Sequence, residues 1–108
     1  MRKHDALINV QELDSIINSK DPYILIDVRE TWEWEIAPFP GARRIPLQKL
    51  DDFIPEMPLN KKVIVLCHSG VKSLEVALIL RENGIRSYAV RGGIDAWATE
   101  INLTCPRY

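Results

Sequence analysis

The stretch KVIVLCHSGVKS, residues 62–73, decides both the fold and the place of the site. Its first part, Lys62–Leu66, is apolar at every position after Lys62, and such a continuous run is typical of a strand covered on both faces of a parallel sheet. After the polar residues of the loop, the segment Ser73–Asn83 carries apolar side chains around almost the whole helical wheel. A helix of that composition packs deep against a sheet. The pattern therefore predicts a buried strand, a short polar loop and a buried helix.

The same alternation extends towards both ends of the chain. Asn9 with Glu12 three residues later forms a capping-box pattern that predicts a helix start, and Asp21-Pro22 predicts the end of that helix. Strands alternating with helices imply an α/β fold, with a mostly parallel sheet and helices on both faces. The predicted strands are Leu7-Ile8, Tyr23–Ile26, Arg43–Ile45, Lys62–Leu66 and Ser87–Val90; the later helices are predicted around Thr31–Ala37, Gln48–Phe53 and Ser73–Asn83 and after Gly92-Gly93.

Composition limits the classes of function. The chain has 108 residues, the size of a single domain spanning 1–108, with 46% hydrophobic and 27% charged residues. Its net charge of -1 gives no reason to expect a nucleic-acid or membrane partner. No apolar run approaches the roughly 18 residues of a membrane span. The first nine residues start basic but lack the apolar stretch of a signal peptide, so a cytoplasmic protein is expected.

The two cysteines, Cys67 and Cys105, lie far apart in the sequence. Neither belongs to a C-x-x-C pair or to a cluster with His at metal-binding spacing, so no metal and no cofactor are expected. Counting alone leaves a Cys67–Cys105 disulfide open, although a cytoplasmic context disfavours it. Cys105 stands beside Pro106 in the final segment and is expected to be an incidental exposed thiol; the alternative is that it resolves a persulfide formed elsewhere.

Cys67 directly follows the most apolar strand, and parallel α/β sheets bind ligands beyond the carboxyl ends of their strands. A strand-to-helix turn aims the backbone N–H groups of the helix start into one small space, and the helix dipole adds positive charge there. The anionic form of a thiol at that point is favoured. The predicted site is therefore a nucleophile in an anion cradle, with Cys67 catalytic and the cradle formed by His68, Ser69, Gly70, Val71, Lys72 and Ser73.

Each residue of this loop also has a simpler interpretation. Cys67 alone is compatible with an inert, buried cysteine at a strand end. His68 is expected at the rim of the pocket rather than as a general base, and Ser73 as a helix N-cap rather than a nucleophile. Asp27 and Arg29 follow the strand at Tyr23–Ile26 and fall on the same edge of the sheet as Cys67. They are expected to form a structural ion pair, with loop ordering or ligand contact as the alternative supporting role.

Four motifs, in order along nearly the whole chain, resemble the signatures of the rhodanese family. They are ILIDVRE at 24–30, PGA at 40–42 with Ile45-Pro46, CHSGVKS at 67–73 and GGIDAW at 92–97. The resemblance implies a rhodanese fold with a five-stranded sheet. It also implies that the Cys67 thiolate takes the outer sulfur of a donor such as thiosulfate and holds it as a persulfide. The acceptor is then a thiol, cyanide or a protein, and backbone N–H groups of residues 68–73 stabilise the persulfide anion.

Two positions depart from the family pattern. The family usually has Arg where this chain has His68 and Lys72, and Lys offers a point charge instead of a two-pronged fork. Thiosulfate is therefore expected to be a poor donor. The family also often has a His before the Pro-Gly-Ala turn, where this chain reads Ala37-Pro38-Phe39-Pro40.

Three other functions remain open. A cysteine phosphatase would need an Arg six residues after its nucleophile, where this chain has Ser73. A non-catalytic binding module of the family usually lacks the loop cysteine. The third function keeps the chemistry, because residues 92–101 and Pro106-Arg107-Tyr108 resemble the rhodanese domain of adenylyltransferases in molybdopterin synthesis and thiolation. That likeness implies a sulfur carrier serving a dedicated partner protein in cofactor or tRNA thiolation.

Overall fold

The computed structural model describes residues 3–108, with side chains from Asp5 onwards; Met1 and Arg2, which begin the basic N-terminal stretch, lie outside the described residues. Five strands form one sheet in the order β1-β5-β4-β2-β3, and every pairing is parallel. The predicted mostly parallel sheet is thus confirmed. The strands are β1 (Leu7–Ile8), β2 (Tyr23–Asp27), β3 (Arg43–Arg44), β4 (Lys62–Leu66) and β5 (Ser87–Val90).

The described residues also form five α-helices and three short 3-10 turns, most of which connect the strands. The helices are α1 (Val10–Ile17), α2 (Thr31–Ile36), α3 (Leu50–Phe53), α4 (Val71–Glu82) and α5 (Gly93–Glu100). The 3-10 turns are Lys3–Ala6, Leu47–Lys49 and Ile54–Glu56. Within residues 3–108, no helix is long and apolar enough to cross a bilayer.

The central strand β4 shows why its sequence is apolar without alternation. Val63 and Val65 point to one face of the sheet and pack with α4, whereas Ile64 and Leu66 belong to the core on the opposite face with α1 and α5. Successive side chains of a strand point to opposite faces, so a strand covered by helices on both sides needs an apolar residue at every position.

The structure corrects two of the helix ends predicted from the sequence: the end of α1 and the start of α4. The capping box predicted at Asn9 and Glu12 is present, but α1 ends at Ile17 with Asn18 as its cap, before Asp21-Pro22. The expectation that Ser73 is an N-cap is wrong. The helix α4 begins two residues earlier, at Val71, and Gly70 in the left-handed conformation is its N-cap. Only glycine adopts that backbone conformation without steric cost, which fixes the loop length after Cys67.

Replacing Leu80 of α4 with alanine should lower the free energy of unfolding by about 2–5 kcal/mol, because its side chain is fully buried between α4 and the sheet. The neighbouring Ile79→Ala is the matched control. Ile79 is 42% exposed, so its replacement should cost less than about 1 kcal/mol. Urea denaturation followed by circular dichroism measures both. Equal losses in the two variants would contradict the placement of α4 against the sheet.

Candidate active site

The Cys67 sulfur lies at the N-terminus of α4 and is almost entirely buried, with 4% of the residue exposed. Its Sγ accepts hydrogen bonds from the backbone N–H groups of Gly70 at 3.0 Å and Ser73 at 3.3 Å. The thiol also lies 3.2 Å from the Oγ of Ser73, to which it donates. Two N–H donors and one hydroxyl acceptor therefore surround the Cys67 sulfur. Ser73 makes its contacts from the first turn of α4, where its side chain is buried.

The N-terminus of α5 holds the loop that carries Cys67. The backbone N–H of Ile94 donates to the Cys67 carbonyl at 2.9 Å, and the N–H of Asp95 donates to the His68 carbonyl at 3.1 Å. The first N–H groups of a helix have no partner within the helix. These two hydrogen bonds therefore give partners both to N–H groups at the start of α5 and to two carbonyl groups of the loop. The GGIDAW motif thus contributes to the site through its backbone.

Close approach of this helix to the loop requires glycine at Gly93. The residue has a φ of +58°, and a Cβ there would lie 2.4 Å from the Cys67 carbonyl oxygen. Gly70 is restricted in the same way, since a Cβ on it would lie 2.7 Å from the Val90 carbonyl oxygen. These two glycines let the loop fit between the ends of β4 and β5.

A cavity of about 230 Å³ opens over the sulfur atom. Its walls come from the ends of β2 and β4, the start of α4, the α2 segment and the 3-10 turn after β3. The lining residues are Val28, Arg29, Glu30, Glu33, Leu47, Gln48, Cys67, His68, Ser69, Val71 and Lys72. Of the predicted loop residues, His68, Ser69, Val71 and Lys72 line this cavity with Cys67. Gly70 and Ser73 lie behind it and contact the sulfur through their N–H groups.

The predicted Asp27–Arg29 pair is present and buried, with Arg29 Nη2 2.8 Å from Asp27 Oδ2. Arg29 Nε also donates to Asp27, and Arg29 Nη2 also donates to the Ala37 carbonyl at 2.7 Å. Burial opposes the charge of Arg29, but its hydrogen bonds to Asp27 and Tyr108 outweigh that effect and raise the pKa of Arg29. The pair ties the end of β2 to the segment after α2.

Tyr108 is a residue of the site that the sequence did not reveal. Its hydroxyl accepts a hydrogen bond from Arg29 Nη1 at 2.8 Å and donates to Glu33 Oε2 at 3.0 Å. Its ring lies edge-on to His68, with 4.4 Å between the ring centroids. The final segment therefore reaches the carboxyl edge of the sheet. The only signal in the sequence was a single aromatic residue at the end of residues 102–108. Nothing local to those residues indicates that the chain returns to the carboxyl edge of the sheet.

His68 lies at the rim of the cavity, as expected, and is partly buried beneath Tyr108. Its Nδ1 is buried and has no hydrogen-bond partner among residues 3–108. Lys72 is exposed on the first turn of α4. The predicted positions of these two side chains agree with the structure, and their roles towards a substrate stay predictions.

The thiol of Cys105 is partly buried rather than exposed, which corrects the expectation for this residue. It packs against the core cluster that contains α1 and α5. Burial raises the pKa of Cys105, so its thiolate is disfavoured. Both cysteines are free thiols. The Cys67 sulfur accepts two backbone N–H hydrogen bonds, whereas Cys105 packs against apolar side chains.

Together these features define a class: an α/β protein whose buried loop cysteine accepts backbone N–H hydrogen bonds at a helix N-terminus, at the carboxyl edge of a parallel sheet. A family model described as a rhodanese-like domain matches residues 9–100. The chain therefore belongs to the rhodanese-like domain family, which confirms the resemblance of its four motifs.

Known proteins of this family include both long and short chains. A rhodanese-like/PpiC domain-containing protein 12, chloroplastic, of Arabidopsis thaliana is 38% identical over 94% of this chain and 36% of its own length. The adenylyltransferase and sulfurtransferase MOCS3 of the same plant is 28% identical over 96% of this chain and 26% of its own length. The chain thus spans about a third or less of these curated relatives. The crystal structure of a rhodanese-like domain protein from Staphylococcus aureus superposes with a TM-score of 0.80, at 28% identity, over 94% of this chain and 97% of that one.

Replacing Gly93 with alanine should lower the free energy of unfolding by about 3 kcal/mol. About 1 kcal/mol comes from the left-handed backbone and about 2 kcal/mol from overlap with the Cys67 carbonyl. Gly84→Ala is the matched control, because Gly84 also has a positive φ, +78°, but a Cβ there meets nothing within 4 Å. It should lose only about 1 kcal/mol in the same urea titration. Equal losses would contradict the close approach of α5 to the loop.

The phenol of Tyr108 should titrate far above the normal range. Burial raises the pKa of Tyr108 from 10.0 to about 12. The folded protein thus holds this proton more tightly than the unfolded chain, so the contribution to stability is complete below pH 10 and is lost as the pH rises towards 12. Tyrosinate absorbance and urea titrations over this pH range, compared between the native chain and Tyr108→Phe, measure both effects. Identical pH profiles for the two proteins would contradict the buried hydroxyl.

Proposed function

We propose that the chain is a sulfurtransferase that accepts a sulfane sulfur on Cys67 as a persulfide and passes it to a thiophilic acceptor. The observation that carries the proposal is the position of the Cys67 sulfur, held by the N–H groups of Gly70 and Ser73 at the start of α4. Backbone donors and a helix N-terminus favour an anionic sulfur. Membership of the rhodanese-like family, with relatives named as sulfurtransferases, supports the same chemistry.

Loading of the site is a nucleophilic displacement. The Cys67 thiolate attacks the outer sulfur of a donor such as thiosulfate, a new S–S bond forms, and the S–S bond within the donor breaks. Sulfite leaves with the electron pair of the broken bond, so no external oxidant is needed. The persulfide carries the negative charge on its outer sulfur, where backbone N–H groups of residues 68–73 and the positive end of α4 would stabilise it. With the thiol proton gone, the Ser73 hydroxyl can donate to the inner sulfur.

Unloading repeats the displacement in the opposite sense. An acceptor thiolate, or cyanide in an assay, attacks the outer sulfur, and Cys67 leaves as a thiolate. The departing anion is the Cys67 thiolate. The N–H groups of Gly70 and Ser73 that stabilise it before loading therefore also stabilise it as the leaving group.

A sulfur carrier for a dedicated partner protein is the second candidate. Two observations favour it: the likeness to MOCS3 over 96% of the chain, and the presence of Lys72 in the cavity wall where the family usually has Arg. A cysteine phosphatase is disfavoured by Ser73. In that class an Arg grips the phosphoryl oxygens from this position, whereas here a small hydroxyl contacts the cysteine sulfur itself.

Replacing Cys67 with serine should abolish sulfur transfer, to below about 1% of the native rate, because a hydroxyl forms no persulfide. Cys105→Ser is the matched control and should keep the native rate, since its thiol is buried against the opposite core and has no anion cradle. Thiocyanate formation from thiosulfate and cyanide reports the rate, and circular dichroism reports the fold. Native rates in folded Cys67→Ser protein would contradict the proposal.

A further inference from the structure

The charges around the cavity do not match those of a small anionic substrate. Four formally charged side chains line it: Arg29, Glu30, Glu33 and Lys72. Thiosulfate is a dianion, and a site built for it would present several cations with free N–H groups. Hydrogen bonds within the protein leave only some of these four charged groups able to interact with a substrate.

Arg29 has no N–H left for a substrate. Its Nε and one Nη2 donor bind the Asp27 carboxylate. The other three N–H groups go to the Ala37 carbonyl, the Glu33 carbonyl and the Tyr108 hydroxyl. A guanidinium has five N–H donors in all, so the fork is fully engaged. Its charge is also balanced by Asp27 at 2.8 Å.

Lys72 supplies the remaining cationic side chain of the cavity wall. Its ammonium has no hydrogen bond or ion pair with the side chains described from Asp5 onwards, and the side chain is exposed. A mobile, hydrated ammonium attracts an anion as a point charge and does not hold it in one orientation.

Two carboxylates oppose this single ammonium. Glu33 is fixed in place, because its Oε1 accepts the Glu30 N–H at 3.2 Å and its Oε2 accepts the Tyr108 hydroxyl at 3.0 Å. The Glu30 side chain accepts a hydrogen bond from the Trp32 indole and is exposed at the same wall. With Arg29 neutralised by Asp27, the charged side chains of the cavity wall that remain are one ammonium and two carboxylates, so their net charge is negative.

The rest of the lining indicates what kind of molecule the cavity suits. Val28, Leu47 and Val71 contribute apolar surface beside the sulfur. Val71 is 65% exposed, so this apolar surface continues to the outside of the protein. A sulfur atom attached to carbon fits these walls better than an inorganic oxyanion does.

We propose that Glu30 and Glu33 select the acceptor by charge in the sulfur transfer, so that the site favours a carbon-bound thiol whose other groups are neutral or positive and disfavours one that carries a further anionic group. The inference rests on the proposed persulfide chemistry of Cys67 and adds the substrate class. In the step concerned, the acceptor thiolate attacks the outer sulfur, an S–S bond forms to the acceptor, the S–S bond to Cys67 breaks, and Cys67 leaves as a thiolate.

Two small thiols of opposite charge test the proposal. The protein is first loaded with sulfur from excess thiosulfate, or from a cysteine desulfurase with cysteine, until intact mass shows one added sulfur atom. After removal of the donor, single-turnover unloading is followed with cysteamine, a cationic thiol, and with 3-mercaptopropionate, an anionic one. Each rate is divided by the rate of the same thiol with native protein, which cancels the different intrinsic reactivities of the two thiols.

The variants are Glu30→Gln, Glu30→Gln combined with Glu33→Gln, and the control Glu35→Gln. Glu35 lies on the same helix, is exposed and is absent from the cavity wall. The preference for cysteamine over 3-mercaptopropionate should fall about threefold in the single variant and about tenfold in the double variant. This is the effect of removing unit charges a few ångströms from the substrate in a solvated cleft. It should stay unchanged in Glu35→Gln. In the native protein, added salt should lower the unnormalised ratio of the cysteamine rate to the 3-mercaptopropionate rate.

The experiment distinguishes failure of the charge selection by Glu30 and Glu33 from failure of the proposed persulfide chemistry. An unchanged ratio in Glu30→Gln, with normal sulfur loading by mass, overturns the role of the carboxylates and leaves the persulfide chemistry intact. Native protein that gains no sulfur from either donor overturns the proposed function. Glu30→Gln keeps the test decisive if the double variant does not fold, because Glu30 is exposed and its backbone N–H contact to Glu33 survives the change.

Discussion

The Cys67 sulfur lies against the free N–H groups at the start of α4, and the rest of the site is arranged around that contact. It requires β4 to end, the chain to turn within three residues and α4 to begin, all at the carboxyl edge of the sheet. Gly70 makes the turn possible through its left-handed backbone. The helix α5 then fixes the loop from the other side by donating to the Cys67 and His68 carbonyls. Two helix N-termini thus hold this loop. The start of α4 contacts the Cys67 sulfur, and the start of α5 contacts the backbone carbonyls of Cys67 and His68.

This arrangement depends on buried polar contacts that the hydrophobic core alone would not specify. The Asp27–Arg29 pair joins β2 to the segment after α2, and Arg29 extends the network to Tyr108 and Glu33. Buried charges of this kind are tolerated only when every donor and acceptor is satisfied, as it is for Arg29. The cavity wall therefore combines a neutralised Arg29 with the fixed carboxylate of Glu33 and the exposed carboxylate of Glu30. In the proposed reaction the backbone N–H groups bind the anionic sulfur, and these side chains select the acceptor by its charge.

The parts of this structure that local sequence encodes were predictable, and the parts that depend on distant contacts were not. Continuous apolar runs identified β2 and β4, the capping box at Asn9 identified α1, and the position of Cys67 after β4 indicated where the candidate cavity lies. The start of α4 was placed two residues late, since Ser73 has the composition of an N-cap and only its contact with the Cys67 sulfur explains its burial. Tyr108 could not be placed because its position depends on Arg29 and Glu33, each more than seventy residues away along the chain.

The central claim is that sulfur binds to Cys67 and that the helix N-terminus makes it the reactive thiol. The most direct measurement is peptide mapping by mass spectrometry of protein loaded with sulfur and trapped with an alkylating agent. The account predicts one added sulfur atom on the peptide that contains Cys67 and none on the peptide that contains Cys105. Sulfur found mainly on Cys105, or on both peptides equally, would contradict it.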